Sequence, residues 1–163
     1  MKHNIILIGF MGCGKSTIAK ALAKKLNYKL LDTDAFIEQK NRAKIKEIFE
    51  NKGEEFFRNE EKALAQELHT FKNYIIATGG GFHKALLKDN NQYVVYLKAH
   101  FNYIKTRLSK TSLEKRPLFK DEKKARTLYK ERLAEYESKA NLTINTEHKS
   151  VLQIVTEIMK GYK

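Results

Sequence analysis

Cysteine is almost absent. The 163 residues hold one, Cys13, so no intrachain disulfide can form, and this usage fits a reducing compartment. A chain of this length can build one real core without covalent staples, and a single domain over 1–163 is expected. Long apolar runs are missing too. After Met1-Lys2 the run "IILIGF" is short and leads into glycines, which is not a signal-peptide pattern. No stretch approaches the length of a membrane span, so a cytoplasmic location without membrane contact is expected. The five histidines, at 3, 69, 83, 100 and 148, lack zinc-ligand spacing, and G-x-S-x-G does not occur. Acidic residues number 19 against 32 basic ones, a formal charge of +13. Such an excess attracts polyanions, but it is carried by lysines scattered along the chain with no block of five. That is a solvated surface rather than a nucleic-acid groove, and no nucleic-acid partner is expected. Only six residues are Arg, which makes each of them worth placing.

Five apolar runs alternate with helical patterns: 4–9, 28–32, 73–78, 93–97 and 142–145. Continuous apolar strands separated by helices argue for an α/β fold, a parallel sheet covered on both faces. Residues 33–72 carry helical patterns without a strand, as an insertion after the second run. Residues 110–124, "KTSLEKRPLFKDEKK", are polar and hold the only proline; a stretch of this kind in a compact domain reads as a functional loop or lid.

Six of the eight glycines fall in two clusters, each just beyond an apolar run. The first is "GFMGCGKST" (9–17), where Gly9, Gly14, Lys15 and Ser16 fit G-x-x-x-x-G-K-[ST] between a strand and a helix. Glycines let the backbone turn its N–H groups inward, and a helix N-terminus favours phosphate. Lys15 reaches the β/γ-phosphates and the Ser16 hydroxyl can ligate Mg²⁺. The motif specifies nucleoside triphosphate binding and leaves the acceptor open. Cys13 within it reads as a small spacer.

Asp32 and Asp34, in "LLDTDAF", stand at the carboxyl end of the second run, the edge at which open α/β sheets bind ligands. Two apart in extended chain, they would point the same way, one toward the Mg²⁺ sphere and one toward an acceptor hydroxyl. A helix N-cap is also a physically sound use, and both can hold at once; beside the phosphate-binding loop the catalytic use is the one expected. Arg58, in "GEEFFRNEE", has Glu54 and Glu61 within helical reach; a braced Arg offers a bidentate fork for a carboxylate. Arg132 and Tyr136 share a helix face, and Arg116 sits in the lid segment, where it could neutralise a transferring phosphoryl group. The second glycine cluster, "TGGG" (78–81), would bring bare backbone N–H groups against the acceptor, where a Cβ could clash. His83, just after it, reads as a helix-start residue.

The ordered set "GFMGCGKST", "DTD", "IFENKGEEFFRNEE", "TGGG", "KRPLF" and "RLAEYESKA" closely resembles the shikimate kinase family of P-loop kinases. The resemblance runs from about residue 4 to the final helix. It implies a doubly wound three-layer α/β/α core with a five-stranded parallel sheet, a shikimate-binding insertion at about 33–61 and a lid at about 110–124. The reaction it implies is transfer of the ATP γ-phosphate to the 3-hydroxyl of shikimate, in aromatic amino acid biosynthesis. By position, ATP would meet Gly12, Cys13, Gly14, Lys15, Ser16, Thr17 and Arg116, and Ser16 and Asp32 would hold one Mg²⁺. Shikimate would meet Asp34, Arg58, Gly79, Gly80, Gly81 and Arg132, with Phe49, Phe57 and Pro117 as walls. Asp34, Lys15 and Arg116 would carry the chemistry. Where the family often stacks an Arg on adenine, Lys110 is the nearest candidate. A monomer is expected. The rivals are a related kinase for gluconate or a nucleoside monophosphate, and a nucleic-acid binder that uses the positive charge.

Overall fold

All five apolar runs become strands of one sheet. The computed structural model describes residues 4–108 and 117–162. The strands β1 (Asn4–Ile8), β2 (Lys29–Asp32), β3 (Tyr74–Ala77), β4 (Gln92–Lys98) and β5 (Leu142–Asn145) pair in the order β2-β3-β1-β4-β5, every pair parallel. The helices are α1 (Lys15–Leu26), α2 (Thr33–Asn41), α3 (Ile45–Glu67), α4 (Phe101–Arg107), α5 (Glu122–Lys139) and α6 (Val151–Gly161). They flank the sheet: α1 packs against β3 and α6, and α5 against β4. Continuous apolar sequence is what a strand covered on both faces requires, and β1 is wholly buried. The rule fails at the edges. In β2 the exposed Leu30 (44% accessible) has no neighbouring strand beyond it.

The insertion after β2 is α2 and α3. Glu38 ties them together by accepting from the Ile45 N–H at 3.0 Å, which satisfies one orphan donor of α3. Helix α3 is two helices meeting at Gly53, whose φ of 82° and ψ of 168° suit glycine alone. The second half carries Phe57, Arg58 and Glu61. On the other side, α5 begins at Glu122, with the Asp121 carboxylate accepting from Lys124 N–H. The expected loop through 124 therefore ends earlier, because a good N-cap sits inside it. Residues 110–116 of the expected lid lie outside the described residues.

The sheet sets three carboxyl ends side by side. Leu7 of β1 and Asp32 of β2 both pair with Ala77 of β3. The loops that leave these ends start from one row, and those loops carry both glycine clusters and the two aspartates.

Candidate active site

The first loop turns straight into α1. Gly14, at φ 96°, caps that helix with no side-chain acceptor over its first turn, and no acidic residue follows. The first N–H groups of α1 and its positive dipole end are thus left for an anion. Lys15 is buried and folded back: its Nζ donates to Gly9 O at 2.6 Å and Phe10 O at 3.0 Å. Cys13 is also buried, its Sγ 3.7 Å from Lys15 Nζ. Its thiol packs inward as a small apolar filler, and only its backbone is left for a ligand.

The loop forms one side of a cleft of ≈ 370 Å³. Gly12, Gly14, Lys15, Ser16 and Thr17 line it, with Asp32, Asp34, Gly79 and Gly80 opposite. The two aspartates meet here for a reason other than strand alternation. Asp32 is the last residue of β2 and the N-cap of α2, its Oδ1 accepting from Ala35 N at 3.0 Å. Asp34 is already helical. Burial, with Asp32 and Glu61 nearby, pushes Asp34 up to about 6 from an ordinary 3.8, against the pull of Lys15. A carboxyl tuned to that range accepts protons well near neutral pH.

The second cluster answers to space rather than to dihedral angle, since none of its three glycines has a positive φ. A Cβ on Gly79 would meet Asp34 Oδ1 at 2.5 Å, one on Gly80 would meet Arg132 Nη1 at 3.0 Å, and one on Gly81 would meet Arg58 Nη1 at 2.5 Å. Three successive residues are each covered by a different charged side chain, from α2, α5 and α3. The expectation of bare N–H groups needs correction at Gly79, whose N–H donates to Thr33 Oγ1 at 3.0 Å.

Arg58 pairs with both glutamates: Nη1 to Glu61 at 2.6 Å and Nη2 to Glu54 at 3.4 Å. Glu61 is only 2% accessible. Burial raises its pKa, while Arg58 and Arg132 pull it down. Arg132 is 8% accessible, and its Nε is buried with no acceptor among the described residues, a cost unless an anion arrives. Phe57 is buried and Phe49 half-buried beside it, ring centroids 5.0 Å apart. Arg116 and Lys110 lie outside the described residues, as does the side chain of Pro117, which opens a short 3₁₀ turn (Pro117–Lys120).

Arg107 was not anticipated. It ends α4 and lines the cleft, its guanidinium 3.5 Å from where a Gly14 Cβ would stand. The order β1-β4 brings the helix after β4 beside the loop after β1. Reading that order from the sequence would have marked this Arg as a cleft residue.

Comparison with known proteins places this geometry. A family model described as shikimate kinase matches residues 11–163. The shikimate kinase of Sulfurihydrogenibium sp. is 41% identical over 165 residues, 98% of each chain. That of Helicobacter hepaticus is 44% identical over 161 residues, 97% of this chain and 95% of its own. Among solved structures, the shikimate kinase of Acinetobacter baumannii in complex with shikimate superposes with a TM-score of 0.85 at 34% identity, covering 98% of this chain and 92% of that one. A gluconokinase from Sinorhizobium meliloti, at 12% identity and a TM-score of 0.59, shares the fold alone. The chain belongs to the shikimate kinase family.

Proposed function

We propose that the cleft transfers the γ-phosphate of ATP to the 3-hydroxyl of shikimate, giving shikimate 3-phosphate and ADP. The observation that carries the reading is the packing of Asp34, Arg132 and Arg58 over three successive glycines beside a free helix N-terminus. A proton acceptor and two guanidiniums converge where a compact hydroxy acid would stand, next to the phosphate cradle.

In this reading the triphosphate enters at the first turn of α1, and Lys15 exchanges the Gly9 and Phe10 carbonyls for phosphate oxygens. Gly12, Cys13, Gly14 and Thr17 contribute backbone to the cradle. Arg132 and Arg58 take the acceptor carboxylate through their guanidiniums. Arg58 is held in aim by Glu61. Asp34 accepts the 3-hydroxyl proton as that oxygen forms its bond to the γ-phosphorus and the bond to the β-phosphate oxygen breaks. Positioning and electrostatics supply most of the rate in such transfers. Arg116 would add charge to the leaving side, and Phe49, Phe57 and Pro117 would wall the acceptor.

The residues present suit Mg²⁺. Asp32 and Ser16 offer hard oxygen donors on the cleft, and no group of three His, Cys, Asp or Glu among the described residues would cage a metal alone. Mg²⁺ commonly takes one or two protein oxygens and completes its shell with phosphate and water. Bound there, the ion would neutralise phosphate charge. The segment 33–61 serves as the acceptor-binding part of one domain, and a cytoplasmic monomer is the expected form.

An ADP-release assay with shikimate, gluconate, AMP and CMP as parallel acceptors tests the reading. Turnover is expected with shikimate alone; release independent of acceptor, or preference for another, overturns it. Arg107 replaces Lys110 as the nucleotide-side cation. Arg107→Ala is expected to raise the KM for ATP roughly 5–20-fold, the loss of one charge-assisted contact, with the KM for shikimate within about twofold. The same result from Lys110→Ala and not from Arg107→Ala would reverse the assignment.

A further inference from the structure

One buried titratable side chain has no part in the chemistry above. His83 is 1% accessible and stands in the 3₁₀ turn (Phe82–Lys84) directly after the glycine triplet. Its Nδ1 is 3.2 Å from Gly80 O. A carbonyl oxygen only accepts, so Nδ1 carries the hydrogen. The Tyr136 hydroxyl donates to the same oxygen at 2.6 Å. Burial raises the Tyr136 pKa, which keeps it a donor. The two rings meet edge to face, centroids 4.5 Å apart. On its far side His83 Nε2 meets Glu135 Oε2 at 2.5 Å; a carboxylate, like a carbonyl, only accepts, so this contact holds a second proton besides the one on Nδ1, kept there by the Glu135 charge against the burial that pulls the His83 pKa down. Lys84 Nζ stands 3.9 Å from the other Glu135 oxygen.

Two donors therefore fill both lone pairs of one carbonyl. A peptide is planar and trans, so fixing the Gly80 carbonyl fixes the Gly81 N–H, which points the opposite way. No other residue type is as free to reorient as glycine. This peptide joins the glycine packed on Arg132 to the one packed on Arg58. Glu135, Tyr136 and Arg132 all belong to α5, so the clasp also ties the triplet to the helix that presents Arg132.

We propose that His83, oriented by Glu135, is a positioning residue: together with Tyr136 it anchors the Gly80 carbonyl and holds the Gly80–Gly81 peptide in the acceptor site. The proposal rests on shikimate as acceptor. His83 serves acceptor binding and leaves the phosphate cradle untouched.

The test compares His83→Leu, His83→Asn and His83→Gln. The Asn amide stands where Nδ1 stands, and the Gln amide where Nε2 stands. His83→Leu is expected to raise the KM for shikimate roughly 5–20-fold, the worth of one buried hydrogen bond, with the KM for ATP within about twofold. His83→Asn should recover most of the loss, and His83→Gln should not. An unchanged shikimate KM in His83→Leu overturns the proposal, as does a parallel rise for both substrates. Equal behaviour of Leu and Asn does the same. ¹⁵N-detected spectra of the ligand-free protein give a readout independent of the acceptor. Protonated Nδ1 is expected, and an imidazole protonated on Nε2 alone overturns the clasp even if shikimate proves not to be the substrate.

Discussion

Asp34→Asn is expected to lose most turnover and at the same time to make the protein more stable. The two effects have one cause. Asp34 is held at about 6 by burial and by the neighbouring Asp32 and Glu61. Its folded pKa thus exceeds the unfolded value, and between pH 4 and 6 the native state holds the extra proton. Stability is then greatest below the unfolded pKa and falls as pH rises through about 6. At pH 7.5 the ionised carboxylate carries the full penalty, about 2 kcal/mol after allowing for the solvent that reaches it. Asparagine cannot ionise and escapes that penalty, so the Tm should rise by roughly 4–8 °C. Asparagine also cannot take the hydroxyl proton, a loss of roughly 10²–10⁴-fold in kcat. In the wild type, kcat/KM for shikimate should fall about tenfold per pH unit below an apparent pKa near 6, because that parameter reports the free enzyme. The Asn variant should show no such limb, while its ATP binding stays near normal. A variant that keeps a tenth of the activity would show that Asp34 only contacts the acceptor. A lower Tm would show that its burial is not the source of its shift.

Local features of this site were legible in the sequence, and features made by distant contact were not. The phosphate cradle could be read because its parts are chain neighbours and its physics is that of one strand, one loop and one helix end. The strands could be read because burial on both faces leaves an unbroken apolar run, and β2 departs from that pattern because an edge has no second neighbour. Asp32 and Asp34 both line the cleft, but strand alternation is not what brings them there: Asp32 ends the strand and caps α2, as the N-cap reading allowed, and a helix turn brings Asp34 to the cleft. Arg58 and its glutamates lie within one helix, so that bracing was visible. Arg107 was not, since its place beside Gly14 depends on which strand lies next to β1. His83 and Glu135 are 52 positions apart, and in the sequence His83 reads only as a helix-start residue. Nothing local marks them as a pair.

Single alanines at the three glycines should produce three different defects, because each new Cβ meets a different charged side chain of the proposed acceptor site. Each obstruction is the far end of a side chain rather than backbone, and none of the three positions has a positive φ, so the fold can accommodate each change. What must move is the group that covers that glycine. Gly79→Ala places a methyl 2.5 Å from Asp34 Oδ1 and should act mainly on kcat, since a misplaced base costs rate; displacement of about 1 Å is worth on the order of 10²-fold. Gly81→Ala places one at 2.5 Å from Arg58 Nη1, and Arg58 is already tied to Glu54 and Glu61. Moving it breaks that bracing and loosens the carboxylate fork, so the KM for shikimate should rise roughly 10–100-fold. Gly80→Ala meets Arg132 Nη1 at 3.0 Å, a contact a small shift can relieve, and the KM should rise less, roughly 3–10-fold. In all three, the KM for ATP should stay within about twofold, because the cradle after β1 is a separate loop. Steady-state kinetics with both substrates varied would resolve the order. If the three variants shared one defect, the triplet would be a single folding element with no division of labour. If ATP suffered alongside shikimate, the two glycine clusters would be mechanically joined, and the separation of phosphate and acceptor sides along the sheet edge would fail.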